Sequence, residues 1–383
     1  IILKMKIYYW SPFLSKIATV SSVIKSIEAI KNYSKKNVNI SIIDSVGEWE
    51  QIPEKTKGIK MIKLYKKSII DKLPKGSFLR SRFTQLFIFF FSFFRLIRLL
   101  KKDQPDYLIA HLIVSLPLTV IALMQSKTKL VIRISGLPKL NILRKIYWKF
   151  FGKKVYKVTC PTIATLEELK SLNIFDHTKL YLLHDPVISP KTIVFKKNEL
   201  IDSKYDNKKI IIAIGRLTRQ KNFSFLLHCF ALIKKKHPDY HLLILGSGEE
   251  ENKLKKIIRN LEISNSVDLL GYKENPYKYL SKAECFILSS LWEDPGFALV
   301  EAAYLNIPII ASNCPNGPEE ILQNGLGGYL FKNNSQAQLI ETFDRFCQTS
   351  KIDLKIKKIK SKKNSKAFTK FDHFKNLQKI IEI

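Results

Sequence analysis

Between residues 210 and 331, short apolar runs recur between helical patterns: Ile210–Ile214, His241–Leu245, Val267–Leu270, Cys285–Ser290, Ile307–Ser312 and Gly328–Phe331. Strands that alternate with helices read as βαβ units on a parallel sheet. The first half repeats the pattern less cleanly, with candidate strands at Lys6–Trp10, Val38–Asp44, Tyr107–His111, Leu130–Ile134, Val155–Thr159 and Lys179–Leu183. The expected fold class is therefore α/β, two Rossmann-like domains over 1–190 and 208–363 with parallel sheets facing a central cleft. The segment Asp185–Asn207 holds Pro186, Pro190 and several lysines with little periodicity, which suits a linker. An amphipathic stretch at Phe368–Ile381 follows a lysine-rich run and predicts a terminal helix over about 367–383 that packs back on the first domain.

One segment breaks the pattern. Residues 83–100 contain Leu86-Phe87-Ile88-Phe89-Phe90-Phe91-Ser92-Phe93-Phe94, flanked by Arg80, Arg82, Arg95, Arg98, Lys101 and Lys102. A spanning helix needs roughly 20 apolar residues, and Arg95 and Arg98 interrupt this one, so it does not read as transmembrane. As a helix it has a narrow polar stripe of Gln85, Ser92, Arg95 and Lys102. Two readings remain: a helix sandwiched in the core, or one lying in a membrane interface with its basic residues on anionic headgroups.

Length and composition narrow the function. At 383 residues the chain exceeds one compact core and fits two domains. Lys and Arg total 65 against 33 acidic residues, a net charge of +32 that attracts polyanions, although the chain is rich in Lys, Ile and Asn throughout. The basic residues are spread out and no recognition module appears, which argues against nucleic acid. Five scattered cysteines without a CxxC pair read as reduced core residues in a cytosolic setting. The opening Met5-Lys6-Ile7-Tyr8-Tyr9-Trp10 reads as a strand and lacks the marks of a signal peptide, so export is not expected.

The chemistry concentrates at strand ends. Gly215-Arg216 follows the strand Ile210–Ile214, and Lys221 stands just before a helix beginning near Asn222. In open α/β sheets ligands bind beyond the carboxyl ends of strands, so both cations fall where a diphosphate would sit. After the strand Cys285–Ser290 comes Glu293-Asp294-Pro295-Gly296-Phe297-Ala298-Leu299-Val300-Glu301. Pro295 suits a first helical position, and Gly296 admits a ligand close to the backbone. The amide groups of Phe297, Ala298 and Leu299 with the helix dipole form an anion site. Glu301 lies about one turn inside that helix, placed for ribose hydroxyls, while Glu293 precedes it, placed for a sugar.

These stretches resemble the retaining glycosyltransferases of family 4, which have the GT-B fold. The likeness rests on Gly215-Arg216 with Lys221, Leu245-Gly246-Ser247-Gly248, Gly271-Tyr272, the Glu-x7-Glu motif from Glu293 to Glu301, and Pro308-Ile309-Ile310-Ala311-Ser312 followed by Gly317-Pro318-Glu319-Glu320-Ile321. The resemblance implies that Arg216 and Lys221 bind the donor diphosphate, Glu301 the ribose, and Gly271 and Tyr272 border the base. It implies that Glu293 acts at the donor sugar, with His111 near it, although a lone histidine is more often structural. The acceptor hydroxyl would attack on the face the nucleotide leaves, with no protein nucleophile. The first domain departs from the family: Ser135 in Arg133-Ile134-Ser135-Gly136 stands in a histidine's place, and Ser11-Pro12-Phe13-Leu14-Ser15-Lys16 replaces a glycine-rich loop. Ser11, Ser15, Lys16 and Arg133 are the acceptor candidates, with a helix cap at Ser15 and a salt-bridged core Arg133 as the alternatives.

The function expected is transfer of a hexose or N-acetylhexosamine, with a UDP-sugar as donor, to a membrane-bound glycan of lipopolysaccharide, O-antigen or other cell-surface polysaccharide. The chain would work in the cytoplasm, peripheral on the inner face of the cytoplasmic membrane, with Arg80 to Lys102 on the anionic surface. No Asp-x-Asp motif occurs, so neither a metal nor another cofactor is expected. The competing readings are a non-catalytic, membrane-associated nucleotide-sugar-binding subunit and a basic nucleic-acid-binding protein.

Overall fold

The computed structural model describes residues 4–14, 18–74, 78–136 and 140–383, the side chains of 78–81 excepted. The chain forms two compact units. Unit 1 takes the chain through Pro186 and then Lys370–Ile383, and unit 2 is Val187–Thr369.

Unit 1 is built on β1 Met5–Trp10, β2 Val38–Asp44, β3 Lys60–Lys63, β4 Tyr107–Ala110, β5 Lys129–Arg133, β6 Lys157–Cys160 and β7 Leu180–Leu182. They pair in parallel in the order β3-β2-β1-β4-β5-β6-β7. Both faces of the sheet are covered, so successive side chains enter opposite cores: Tyr8 and Trp10 of β1 join one cluster, Ile7 and Tyr9 the other. Helix α1 (Ala18–Tyr33) covers the second face. Helices α2 (Phe78–Asp103), α3 (Ser115–Leu123), α4 (Ile142–Phe151) and α5 (Ile163–Ser171) cover the first.

Unit 2 places β8 Lys209–Ile214, β9 Tyr240–Leu245, β10 Val267–Gly271, β11 Cys285–Leu288, β12 Ile309–Asn313 and β13 Tyr329–Lys332 in the parallel order β10-β9-β8-β11-β12-β13. Its helices include α6 Pro190–Lys196, α7 Phe223–Lys236, α8 Glu251–Asn260, α9 Phe297–Tyr304, α10 Gln336–Gln348 and α11 Lys351–Ser365. The chain returns to unit 1 as α12, Lys370–Leu377, which packs on α1. There Phe371 meets Tyr33 edge-on, with ring centroids 5.3 Å apart.

Both expected parallel sheets are present, and four details differ from the sequence reading. Strand β3 was not foreseen, because Lys60-Met61-Ile62-Lys63 is a short edge strand with little buried surface. The expected linker contains α6, started by Pro190 at its first turn and anchored by one buried residue, Ile193. Cys347 is exposed, while Cys160, Cys229, Cys285 and Cys314 are buried. Helix α2 departs in part from its expected polar stripe: Arg95 and Lys102 are exposed, but Ser92 is buried, as is Thr84, and Phe83, Phe90 and Phe94 also face out. It is therefore not sandwiched in the core, and Arg82–Asp103 is long and apolar enough, by length and composition, to cross a membrane.

Candidate functional site in unit 2

The order of the second sheet puts its topological switch between β8 and β11, the position beyond whose carboxyl ends open α/β sheets bind their ligands. The loops that follow these two strands are stitched together. Leu291 N donates to Gln220 O (2.8 Å), Gln220 Nε2 donates to Trp292 O (2.9 Å), and Ser289 Oγ donates to Lys221 O (2.8 Å).

Within that seam Lys221 lies across Gly215, where an added Cβ would come 2.8 Å from the lysine stem. Its ammonium lies 2.5 Å from Glu293 Oε1, and the same oxygen accepts a 2.5 Å hydrogen bond from Ser290 Oγ. Glu293 is 4% exposed, so this carboxylate has exchanged water for one cation and one hydroxyl. Ser290 is in turn fixed through its carbonyl, which accepts from Ser312 Oγ on β12. Arg216 is exposed, its Nη2 3.4 Å from Gln220 Oε1.

Gly296, at φ +94°, caps α9 without a side-chain hydrogen bond. The first backbone bond of that helix runs from Val300 N to Gly296 O, so the amides of Phe297, Ala298 and Leu299 precede it. A Cβ on Gly296 would sit 3.3 Å from the Glu293 carboxyl carbon. Pro295 precedes the cap and does not occupy the first helical position expected for it. Glu301 lies one turn into α9, and its Oε1 accepts from Tyr277 OH at 2.9 Å. Burial and the Glu301 carboxylate raise the Tyr277 hydroxyl well above its ordinary range, so it remains a donor.

Backbone contact explains two other glycines. Gly246, at φ +144°, packs so close to the β8 loop that a Cβ would fall 1.8 Å from Gly215 O, and one on Gly248 would fall 2.4 Å from Leu217 O. Gly271, at φ +68°, ends β10, and the Tyr272 ring beside it is 68% exposed. All ten donor-side candidates thus gather at the carboxyl edge of one sheet, together with three residues that the sequence reading missed: Gln220, Ser290 and Tyr277. Ser290 carried a signal, a polar residue closing a buried apolar strand.

Unit 1 treats its candidates differently. Arg133 is buried, with Nε and Nη2 donating to Asp185 Oδ1 and Oδ2 at 3.0 and 2.5 Å, which is the alternative of a salt-bridged core arginine rather than the acceptor role. Burial alone would raise the Asp185 carboxyl, but Arg133 and Ser22 outweigh it and hold the pKa below the usual range. His111 is also buried, and burial first, then the Arg133 charge, lowers its pKa to about 3. With His373 these groups line a cavity barely large enough for one water. Ser11 is fully buried, its hydroxyl unpartnered among the described residues. Ser15 and Lys16 lie outside the described residues, as does the side chain of Arg80.

Residues 195–363 match the model of a family described as glycosyl transferases group 1. That part of the chain belongs to this family. Over 248 residues the chain is 33% identical to an uncharacterized glycosyltransferase of Methanocaldococcus jannaschii, a match covering 60% of this chain and 61% of that protein. It is 26% identical over 254 residues to an N-acetylgalactosamine-N,N'-diacetylbacillosaminyl-diphospho-undecaprenol 4-alpha-N-acetylgalactosaminyltransferase of Campylobacter jejuni, covering 64% of this chain and 67% of that one. The chain thus spans about six tenths of the length of the archaeal relative. A structure of an Anabaena protein, HepE, in complex with UDP superposes over 98% of this chain and 99% of that one, with TM-score 0.73 at 13% identity. The fold shared is GT-B: two Rossmann-like units, each on a parallel sheet.

Proposed function

We propose that the chain is a retaining glycosyltransferase that moves a hexose or N-acetylhexosamine from a UDP-sugar to a membrane-bound, lipid-linked or polysaccharide glycan. The observation that carries this reading is the seam between the β8 and β11 loops, where Lys221 and Glu293 share one oxygen beside the uncapped start of α9. A nucleotide diphosphate leaving group gains charge as the glycosidic bond breaks, and fixed cations with oriented amides stabilise that charge without reorganising.

Each residue then has a task. Arg216 and Lys221 hold the two phosphates, with the amides of Phe297, Ala298 and Leu299. Glu301, oriented by Tyr277, accepts from ribose hydroxyls, and the exposed Tyr272 ring and Gly271 border the base. Glu293 directs its carboxylate to the hydroxyls of the donor sugar. The acceptor hydroxyl attacks from the side the phosphate leaves, and its proton passes to a phosphate oxygen. Catalysis is then positioning and charge stabilisation, with no protein nucleophile. His111 has a smaller part in this reading: an imidazole neutral at physiological pH forms hydrogen bonds but supplies no proton.

The acceptor class draws on two sources. One is the diphospho-undecaprenol named for the Campylobacter relative. The other is the basic, aromatic helix α2, which suits work at the inner face of a cytoplasmic membrane. Thermal shift of the full chain against UDP-, GDP- and ADP-sugars tests the donor, because a ligand that binds only the folded state raises the melting point. Stabilisation by UDP-sugars with release of UDP on adding a lipid-linked acceptor supports the proposal. UDP binding without turnover on any acceptor points to a non-catalytic subunit, and no response to any nucleotide overturns the site.

A further inference from the structure

Two helices of unit 1 leave large apolar side chains in water. On α2, Phe83, Phe90 and Phe94 recur along one side over three turns, Phe94 at 77% exposure. On α4, Ile142, Ile146 and Phe150 do the same, Phe150 at 70%. Both helices pack against α3 and on the same core cluster, with Tyr147 of α4 donating to Ser115 O at 2.9 Å, so the two stripes lie on neighbouring helices of one layer. Exposed apolar groups in such number mark an interaction surface.

The charges beside them identify the partner. Arg98, Lys101 and Lys102 are exposed at the end of the α2 stripe, and Lys145 and Lys149 are exposed on α4. Asp103 is the single acidic residue on the two helices, and its carboxylate accepts a hydrogen bond from Tyr8 OH at 2.8 Å. A second copy of the chain seated here would set cation against cation with no carboxylate to answer. An anionic lipid surface supplies both the apolar depth and the countercharge.

The depth of contact follows from what holds α2. Ile88, Leu96 and Leu100 are buried in the unit's core, Arg95 Nη1 donates to Leu64 O at 3.0 Å with its guanidinium 4.1 Å from the Tyr65 ring centroid, and Tyr65 OH donates to Phe91 O at 2.9 Å. A helix spanning the bilayer would forfeit all of these. We propose that α2 and α4 together form a monotopic docking face for an anionic bilayer, phenyl and isoleucine side chains entering the acyl boundary and Arg98, Lys101, Lys145 and Lys149 seated on the headgroups. The inference rests on the reading of a membrane-bound acceptor and extends it to α4, which brings a second stripe and its own cations.

Flotation of the full chain with vesicles tests it without donor or acceptor present. The expected result is binding to phosphatidylcholine vesicles containing phosphatidylglycerol, weak binding to phosphatidylcholine alone, and release by high salt. Phe94→Glu with Ile146→Glu should lower the partition by about tenfold or more, and Arg98→Glu with Lys149→Glu should flatten its salt dependence. Melting points equal to wild type confirm that the exposed substitutions leave the fold intact, and Phe94→Ser with Ile146→Ser provides a milder pair. Unchanged partition in both apolar pairs overturns the proposal. So does a dimer that the same pairs convert to monomer, or membrane association that resists salt and alkaline extraction. Nucleotide-induced thermal shifts are read separately on the same variants, so failure of docking and failure of the transferase reading are distinguishable.

Discussion

Lys221 and Glu293 meet through a single carboxylate oxygen 2.5 Å from the ammonium, and the glutamate is almost wholly enclosed. Removing one partner leaves a buried charge uncompensated, which costs more than the pair contributes. Lys221→Met should lower the unfolding free energy by about 3 kcal/mol, the low end for such pairs because the lysine keeps some solvent access. The double substitution Lys221→Met/Glu293→Gln should recover most of that loss while still abolishing nucleotide binding. Urea unfolding of the four proteins in the cycle measures the coupling, and additive losses would count against it.

The near-contact between Gly246 and Gly215 O makes a second prediction. Gly246→Ala inserts a methyl where the neighbouring carbonyl oxygen already sits, at a φ of +144° that L side chains rarely adopt. The β8 loop must shift, carrying Arg216 and Lys221 with it. Stability should fall by more than about 1 kcal/mol, and UDP affinity should fall beyond what the stability loss explains. Gly58→Ala, also at positive φ but in open space, serves as the control for backbone strain alone.

Tyr277 and Glu301 separate positioning from contact. If the carboxylate touches ribose and the phenol orients it, Glu301→Ala should weaken UDP binding strongly. Tyr277→Phe, which removes one hydrogen bond of about 1 kcal/mol, should weaken it about fivefold. Calorimetric titration with UDP and with its 2'-deoxy analogue checks this: the analogue should erase the difference between wild type and Glu301→Ala.

How much was legible before the structure follows from the same physics. The β8 to β13 strands read clearly because strands buried on both faces are nearly continuous apolar runs, as in Ile210–Ile214. β3 and α6 were lost because they bury little: Ile193 alone anchors α6. Lys221, Glu293 and Glu301 were visible because each stands at a fixed offset from a strand end. Tyr277 was not, since its bond to Glu301 joins residues 24 positions apart. Arg133 was ambiguous because its partner Asp185 lies 52 residues away, and nothing local distinguishes a core ion pair from an anion site. The core-facing side of α2 was only partly legible, with Ser92 on it and Arg95 off it, because a helix apolar around most of its circumference does not reveal which side the core takes. Thr84 Oγ1 bonds to Pro74 O, a contact that periodicity cannot register.

In the proposed reading Arg216, Lys221 and the α9 amides supply the diphosphate countercharge without a divalent ion. UDP-sugar turnover should therefore be unchanged, within about twofold, after dialysis against EDTA and on adding back Mg²⁺ or Mn²⁺. Loss of activity restored by one of these ions would show that the leaving group needs a metal and would reassign Lys221 to a structural role with Glu293.

His111 ties stability to pH in a direction fixed by its surroundings. Its folded pKa is held at about 3 by burial and then by Arg133, whereas an unfolded histidine titrates near 6.5. Above pH 6.5 both states carry a neutral ring, and its contribution to stability is complete. As the pH falls below 6.5 the unfolded chain binds a proton that the folded protein refuses, so stability drops by up to about 1.4 kcal/mol per pH unit from this group until its folded pKa is reached. His373, lowered by burial and enclosed between His184 O and Ser26 Oγ, acts in the same sense. His111→Gln binds no such proton, so its curve of stability against pH should be shallower than wild type by nearly one proton between about pH 6 and 4. Urea midpoints across that range measure the slope, and a His111→Gln curve parallel to wild type would mean that the ring is charged inside the folded unit. Turnover should show no titration assignable to His111 above pH 5, because an imidazole already neutral there has no proton to lose.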